Sequence, residues 1–284
     1  MTTQAGRIGF DIGGSALKAV RLGAGGEATR ARVGYCSPTL ETLRAAIRRA
    51  ADELEITPGD RIGVCAPGVL DMDRGVVRYA ANLPCLAGVC LRGLVRDALG
   101  ERTPSSVMTD AVATALGSFA QRPVEGRLLT LAMGTGVGAA LLEHGRPLTL
   151  DGATIGHLGQ MDVSQGEASP PIGPDGGRGS LEAYVGWPAL VARFGEAGAA
   201  ASVATLPADD PVVRALVRAL RVCHALYKPD VVRLLGGVGS LFAPIVPMLH
   251  GLTADGLTRV ARPGWRLEAM DDPYLAAFGA ASSA

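Results

Sequence analysis

An apolar strand, a glycine turn and a second apolar strand form a unit that occurs twice, at 7–22 and again at 127–142. In the first copy RIGFDIG leads through Gly13-Gly14 into ALKAVRL; in the second RLLTLAM leads through Gly134-Thr135-Gly136 into VGAALL. Glycines between two apolar runs mark a hairpin, so the repetition predicts a second α/β domain that starts as the first does. A third pair, Gly236-Gly237, follows the apolar run Val231–Leu235. Glycine in such turns admits positive φ and a close backbone approach. Backbone N–H groups there bind anions, phosphate above all.

Two phosphate-binding motifs are excluded. The chain contains no GxxxxGK[ST], so it has no Walker-type loop. GTGVGA at 134–139 imitates a dinucleotide fingerprint, but the run after it reaches Gly145 too soon for the helix of a βαβ unit. Elsewhere the patterns predict strands at 28–35, 61–66, 106–109 and 231–235. Helices are expected at 39–54, 89–99, 111–120, 181–195, 211–227, from 237 to about 250, and at 273–282. Asp110 stands where its helix begins, a place where aspartate is an ordinary cap. Residues 165–180, rich in Gly, Pro and Ser, read as a long loop.

A chain of 284 residues has room for two domains, and 48% hydrophobic residues with a formal net charge of zero describe a globular protein. That charge balance argues against nucleic acid as a partner. No run approaches the ~20 uninterrupted apolar residues of a spanning helix, and the N-terminus has no secretory apolar core. A cytoplasmic protein without a membrane partner is expected. The five cysteines, Cys36, Cys65, Cys85, Cys90 and Cys223, form no CxxC pair and read as small buried hydrophobes. The only lysines are Lys18 and Lys228.

DIGGSALK (11–18), APG…GVV…ANLP (66–84), TDAVATALG (109–117), GTGVGAALLEHGRPL (134–148), IGH (155–157), GSLE (179–182), PDVVRLLGG (229–237) and DDPYLAAFGAA (271–281) occur in this order. Together they resemble the ROK family of sugar kinases and repressors, within the actin-like and hexokinase-like ATPases. The resemblance implies two RNase H-like lobes of mixed sheets flanked by helices, residues 1–114 with 273–284 and residues 115–272, with an active site in the cleft between them. It implies Asp110 as the general base of an ATP-dependent phosphorylation of a sugar hydroxyl. Asp11 would act near the Mg²⁺ of MgATP. Gly13, Gly14, Ser15, Gly134, Thr135 and Gly136 would face phosphates, and Gly236 and Gly237 the nucleoside. Lys18 occupies the motif's lysine position, as a phosphate contact or as an ion pair bracing the hairpin. Asn82, His157 and Glu182 would touch the acceptor, and a homodimer is the family's expected state.

The sequence departs from the family pattern in two places. Thr109 and Thr154 stand where the family has a sugar-binding Asn and Glu, so the acceptor need not be glucose. Gly173, Asp175 and Ser180 stand at the family's three zinc cysteines; without thiolates the Cys₃His site cannot form, and no zinc is expected. The readings left open are a hexose or amino-sugar kinase, with kanosamine as one acceptor, a cyclitol kinase, a polyphosphate-dependent glucokinase, and a non-catalytic sugar-binding or regulatory protein. A repressor with an N-terminal DNA-binding helix-turn-helix is not expected, since the first glycine motif begins by residue 8.

Overall fold

The computed structural model describes residues 5–23, 25–150, 152, 154–174, 176–259 and 264–284. The chain divides into two compact units: Met1–Pro123 with Thr149–Thr154 and Tyr274–Ala284, and Val124–Leu148 with Ile155–Pro273. The first unit thus extends past the expected limit at 114 and takes in 149–154 as well.

In the first unit, β1 (Arg7–Ile12), β2 (Ala16–Leu22), β3 (Ala28–Gly34), α1 (Leu40–Glu53) and β4 (Arg61–Ala66) are followed by the small hairpin β5 (Val69–Asp71) and β6 (Val76–Tyr79). Then come α2 (Leu91–Leu99), β7 (Ser106–Thr109) and α3 (Asp110–Gln121). The main sheet has the order β3-β2-β1-β4-β7. β2 runs antiparallel to β1 and β3, whereas β1, β4 and β7 are parallel. Helix α1 forms because Leu43, Ala46, Ile47, Ala50 and Ala51 line one buried face and Thr39 with Thr42 closes a reciprocal cap at its start.

The C-terminal helix Leu275–Ser282 returns to this unit and packs on α3 and β1. The approach is so close that a Cβ at Gly279 would lie 1.8 Å from the carbonyl oxygen of Ala113, and one at Gly117 1.9 Å from that of Leu275. Bare backbone at both crossings holds α3, and hence Asp110, against the end of the chain. This contact is why the whole of α3 belongs to the first unit.

The second unit repeats the plan. β8 (Arg127–Met133), β9 (Val137–Glu143) and β10 (Arg146–Leu148) precede α4 (Leu181–Val185), α5 (Trp187–Phe194), α6 (Ala199–Val203), α7 (Pro211–Tyr227) and β11 (Val231–Leu235). There follow α8 (Gly236–Gly239), a 3₁₀ turn Ser240–Ile245, α9 (Val246–Asp255) and β12 (Arg266–Ala269). The sheet order β10-β9-β8-β11-β12 matches that of the first unit, with β8, β11 and β12 parallel and β9 antiparallel. The helix expected at 181–195 is two helices. Gly186 between them is extended, and a Cβ there would meet the carbonyl oxygens of Glu182 and Thr135 at 2.7 Å. The run Gly236–Asp255 is long and apolar enough by composition to cross a membrane. Here Phe242, Ile245 and Leu249 instead enter the core of the second unit beside Leu216, Leu234 and Trp265.

Candidate active site

In the first unit the predicted residues gather at the carboxyl ends of the parallel strands, the edge where open α/β sheets bind ligands. Asp11 lies near the end of β1. Its register partners are Lys18 on β2 and Cys65 on β4. One strand further, Ala66 pairs with Thr109, so Asp110 starts α3 on the same edge. Gly14 brings the first glycine turn to the substrate loop: a Cβ there would lie 3.2 Å from the carbonyl oxygen of Asn82.

Thr109, not Asp110, is the cap of α3: its hydroxyl oxygen accepts from the backbone N–H of Val112 at 3.3 Å. Thr109 is 3% exposed, so the side chain expected at the acceptor is instead committed to the helix. Asp110 is relieved of capping, and its Oδ1 accepts from the N–H of Ala111 at 2.8 Å. Burial raises the Asp110 pKa above the ordinary carboxylate value, against the pull of those backbone N–H groups.

Asp11 is raised to about 6. Burial is the main cause; the Lys18 charge opposes it, and the nearby Asp110 charge adds to it. The Cys65 thiol sits between Asp11 Oδ1 at 3.8 Å and the carbonyl oxygen of Ala276 at 3.7 Å. Burial, then the two carboxylates, push this thiol well above its ordinary pKa, so it stays protonated beside Asp11. Two carboxyls of raised pKa, one lysine and a neutral thiol share one edge, an arrangement suited to accepting a proton or meeting a cation-bearing anion.

Tyr35 was not singled out by the sequence, and it grips the first glycine turn at two points. Its hydroxyl donates to the carbonyl oxygen of Gly13 at 2.6 Å, and its N–H donates to that of Ser15 at 3.0 Å. Gly13 N–H closes the turn onto the carbonyl oxygen of Ala16 at 3.1 Å. Burial, then the charge of Asp11, raises the phenol pKa, so the hydroxyl remains a donor. The only sequence signal for Tyr35 was its place directly after β3.

The second unit has its own edge. Gly134 N–H donates to the carbonyl oxygen of Gly136 at 2.9 Å, and Trp187 N–H to that of Gly134 at 2.8 Å, fixing the turn around Thr135. Gly236 leaves β11 with φ at 81°, and a Cβ there would lie 2.5 Å from the carbonyl oxygen of Met133. The second and third glycine turns therefore abut. Of the six glycines predicted in the turns, only Gly236 has positive φ. Glu182 is buried and accepts from the Gln160 amide at 2.5 Å. A Cβ at Gly136 would lie 2.8 Å from its Oε2, which explains that glycine by close approach. His157 is exposed and opens the 3₁₀ turn Leu158–Gln160. Gly237 is exposed beside Gly236. Thr154 closes the segment that clusters with the first unit, where its carbonyl oxygen accepts from Leu150 N–H at 2.8 Å.

Zinc does not fit the glycine-rich loop. Gly173 and Ser180 offer no thiolate, Asp175 lies outside the described residues, and among those described no group of three His, Cys, Asp or Glu could hold a metal. The backbone closes the loop instead. Gly173 N–H pairs with Gly177 at 2.8 Å, Gly179 N–H with Pro171 at 2.7 Å, and Val163 N–H with Gly179 at 2.8 Å, while bridges join Ile172 to Arg178 and Asp162 to Ser180. The expected loop is thus an ordered set of turns.

A sequence model of the ROK family matches residues 7–259. The glucokinase of Thermotoga maritima is 31% identical over 189 residues, which are 62% of this chain and 56% of that protein. The N-acetyl-D-glucosamine kinase of Erwinia tasmaniensis is 32% identical over 161 residues, 54% of this chain and 51% of the relative. The chain spans about half the length of the curated relatives it matches. Among solved structures, the ROK hexokinase of Thermus thermophilus is 26% identical with a TM-score of 0.71, over 98% of this chain and 97% of that one.

Proposed function

The chain belongs to the ROK family, and from that premise we propose that it is an ATP-dependent kinase that phosphorylates a hydroxyl of a hexose or amino hexose. The observation that carries this reading is the division of labour at the head of α3. Thr109 caps the helix, leaving the raised Asp110 carboxylate on the same strand edge as Asp11 and the Gly13–Ser15 turn. Phosphoryl transfer needs positioning, charge stabilisation and a proton acceptor. Asp110 is the acceptor: it takes the proton of the sugar hydroxyl as that oxygen attacks the terminal phosphorus. Asp11 and Lys18 order the charge around MgATP, which enters as substrate. The N–H groups of the Gly13–Ser15 and Gly134–Gly136 turns bind phosphate oxygens, and Gly236 and Gly237 pack against the nucleoside.

The names of the relatives, glucokinase and N-acetyl-D-glucosamine kinase, support a hexose frame with or without a substituted amine. Glu182, with His157 and Asn82, contacts the acceptor. Thr109 is spent on the helix, so the acceptor is read without the amide that the family places there, and an amino sugar such as kanosamine falls within the class. The test is a matrix of donors, ATP·Mg²⁺ and polyphosphate, against glucose, N-acetylglucosamine, an aminohexose and a cyclitol, scored by sugar phosphate formed. Turnover with ATP and a hexose-type acceptor is expected. Turnover with polyphosphate alone, with a cyclitol alone, or with no pair would refute the proposal.

A further inference from the structure

The second unit holds a pocket of about 320 Å³ lined by Arg218, Arg221, His224, Lys228, Leu257 and Thr258, together with small neighbours. None of the predicted site residues lines it. Helix α7 supplies the basic wall: Arg218, Arg221 and Ala225 recur at three- and four-residue spacing along one face, and Lys228 follows as the left-handed cap of the helix. Opposite stand the residues that leave α9. Gly256 is bare backbone there, and a Cβ on it would lie 2.5 Å from Arg221 Nε, so glycine makes room for the guanidinium.

His224 is the unexplained group. It is 1% exposed, yet among the described residues neither ring nitrogen has a hydrogen-bond partner. A buried polar group without a partner is costly and calls for a reason. Trp265 packs edge-on against the ring at 4.3 Å between centroids and is itself stacked on His250, so His224 is fixed in place as part of the pocket wall. Burial, then His250, lowers the His224 pKa to about 4, so near neutrality it offers an N–H and not a charge.

The cations exceed what the fold asks of them. α7 and α9 both end at this pocket, and each helix C-terminus is equivalent to about half a negative charge. Asp162 feels the charge of Arg218. Three full positive charges still leave an excess, and no carboxylate is among the described lining residues. The apolar part, Val222, Ala225 and Leu257, gives room for more than a bare ion.

We propose that this pocket binds the phosphate group of a small phosphorylated ligand, through Arg221 and Lys228 with Arg218 and the Thr258 hydroxyl, over the His224 wall. The ligand is either a phosphomonoester of sugar size or the end of a condensed phosphate, chemistry the two share. This site is independent of the kinase reading.

The chain has two tryptophans, so Trp187→Phe leaves Trp265 as a local reporter beside His224. That variant is titrated at constant ionic strength with glucose 6-phosphate and, separately, with tripolyphosphate. A saturable change in Trp265 emission is expected with at least one probe, and the probe that saturates identifies the source. Adding Arg221→Ala and Lys228→Ala is expected to weaken it by about tenfold or more, without lowering the melting temperature, since both side chains are exposed. Asp110→Asn in the same background is expected to bind unchanged, whether or not the protein is a kinase. No saturable change with either probe, or equal affinity after loss of both cations, would overturn the proposal.

Discussion

Thr109 caps α3 and leaves the Asp110 carboxylate free of that duty, while two strands away Asp11 is held at a pKa of about 6. Three predictions belong at this scale. A carboxyl whose folded pKa is raised binds more protons folded than unfolded. Its favourable contribution is therefore full below the unfolded value of 3.8 and is lost as pH rises through about 6. Asp11→Asn is accordingly expected to melt higher than the parent at pH 8, by an amount worth at most about 3 kcal/mol, with the gap closing toward pH 4. The same ionisation is expected to put an acidic limb near pH 6 on the parent's kcat/KM; a profile flat from about pH 5 to 8 would contradict this assignment. Tyr35→Phe removes one hydrogen bond to the Gly13 carbonyl, a loss of roughly 1 kcal/mol. The expected result is a KM for ATP raised about fivefold with kcat nearly unchanged. A lower melting temperature with an unaltered KM would make Tyr35 merely structural. Neither Tyr35 nor Cys65 could be read from the sequence as a site residue, because each meets its partner through strand register, 22 and 54 residues away along the chain. Asp11 and Asp110 could be singled out in the sequence because each stands beside a motif of several residues.

Elements were legible where they bury a continuous apolar run or stripe. Strands β2, β4, β8 and β11 and helix α7 fall where apolar runs or helical spacing place them, because each buries a long continuous face. The hairpin β5–β6, helix α6 and strands β10 and β12 span three to five residues each, too few to show a period. Of the two needs that could place six glycines in these turns, positive φ operates at one, Gly236. At Gly136 the need is room for the Glu182 carboxylate. Close approach also governs the C-terminal helix, whose Gly279 crosses α3 at a Cβ separation of 1.8 Å from the Ala113 carbonyl. Because the obstructing atom is backbone, Gly279→Val cannot be absorbed by a side-chain rotation. Denaturant unfolding is expected to show a loss of at least about 3 kcal/mol; an unchanged midpoint would mean the crossing is loose.

At the scale of the whole molecule, two units with the same sheet order each present a glycine turn at the end of their first strand. The first adds the paired carboxyls; the second adds Glu182 and a further glycine turn. Gly173, Asp175 and Ser180 replace the thiolates of the family pattern, and backbone pairs within 171–179 close that loop. What makes the whole a catalyst, in this account, is one proton acceptor on the first unit. The most direct measurement is the kcat of Asp110→Asn with MgATP and the parent's best hexose acceptor, since asparagine keeps the shape and removes the base. A fall of about 10²–10⁴-fold is expected, with the KM for ATP little changed. Turnover at the parent rate would contradict it.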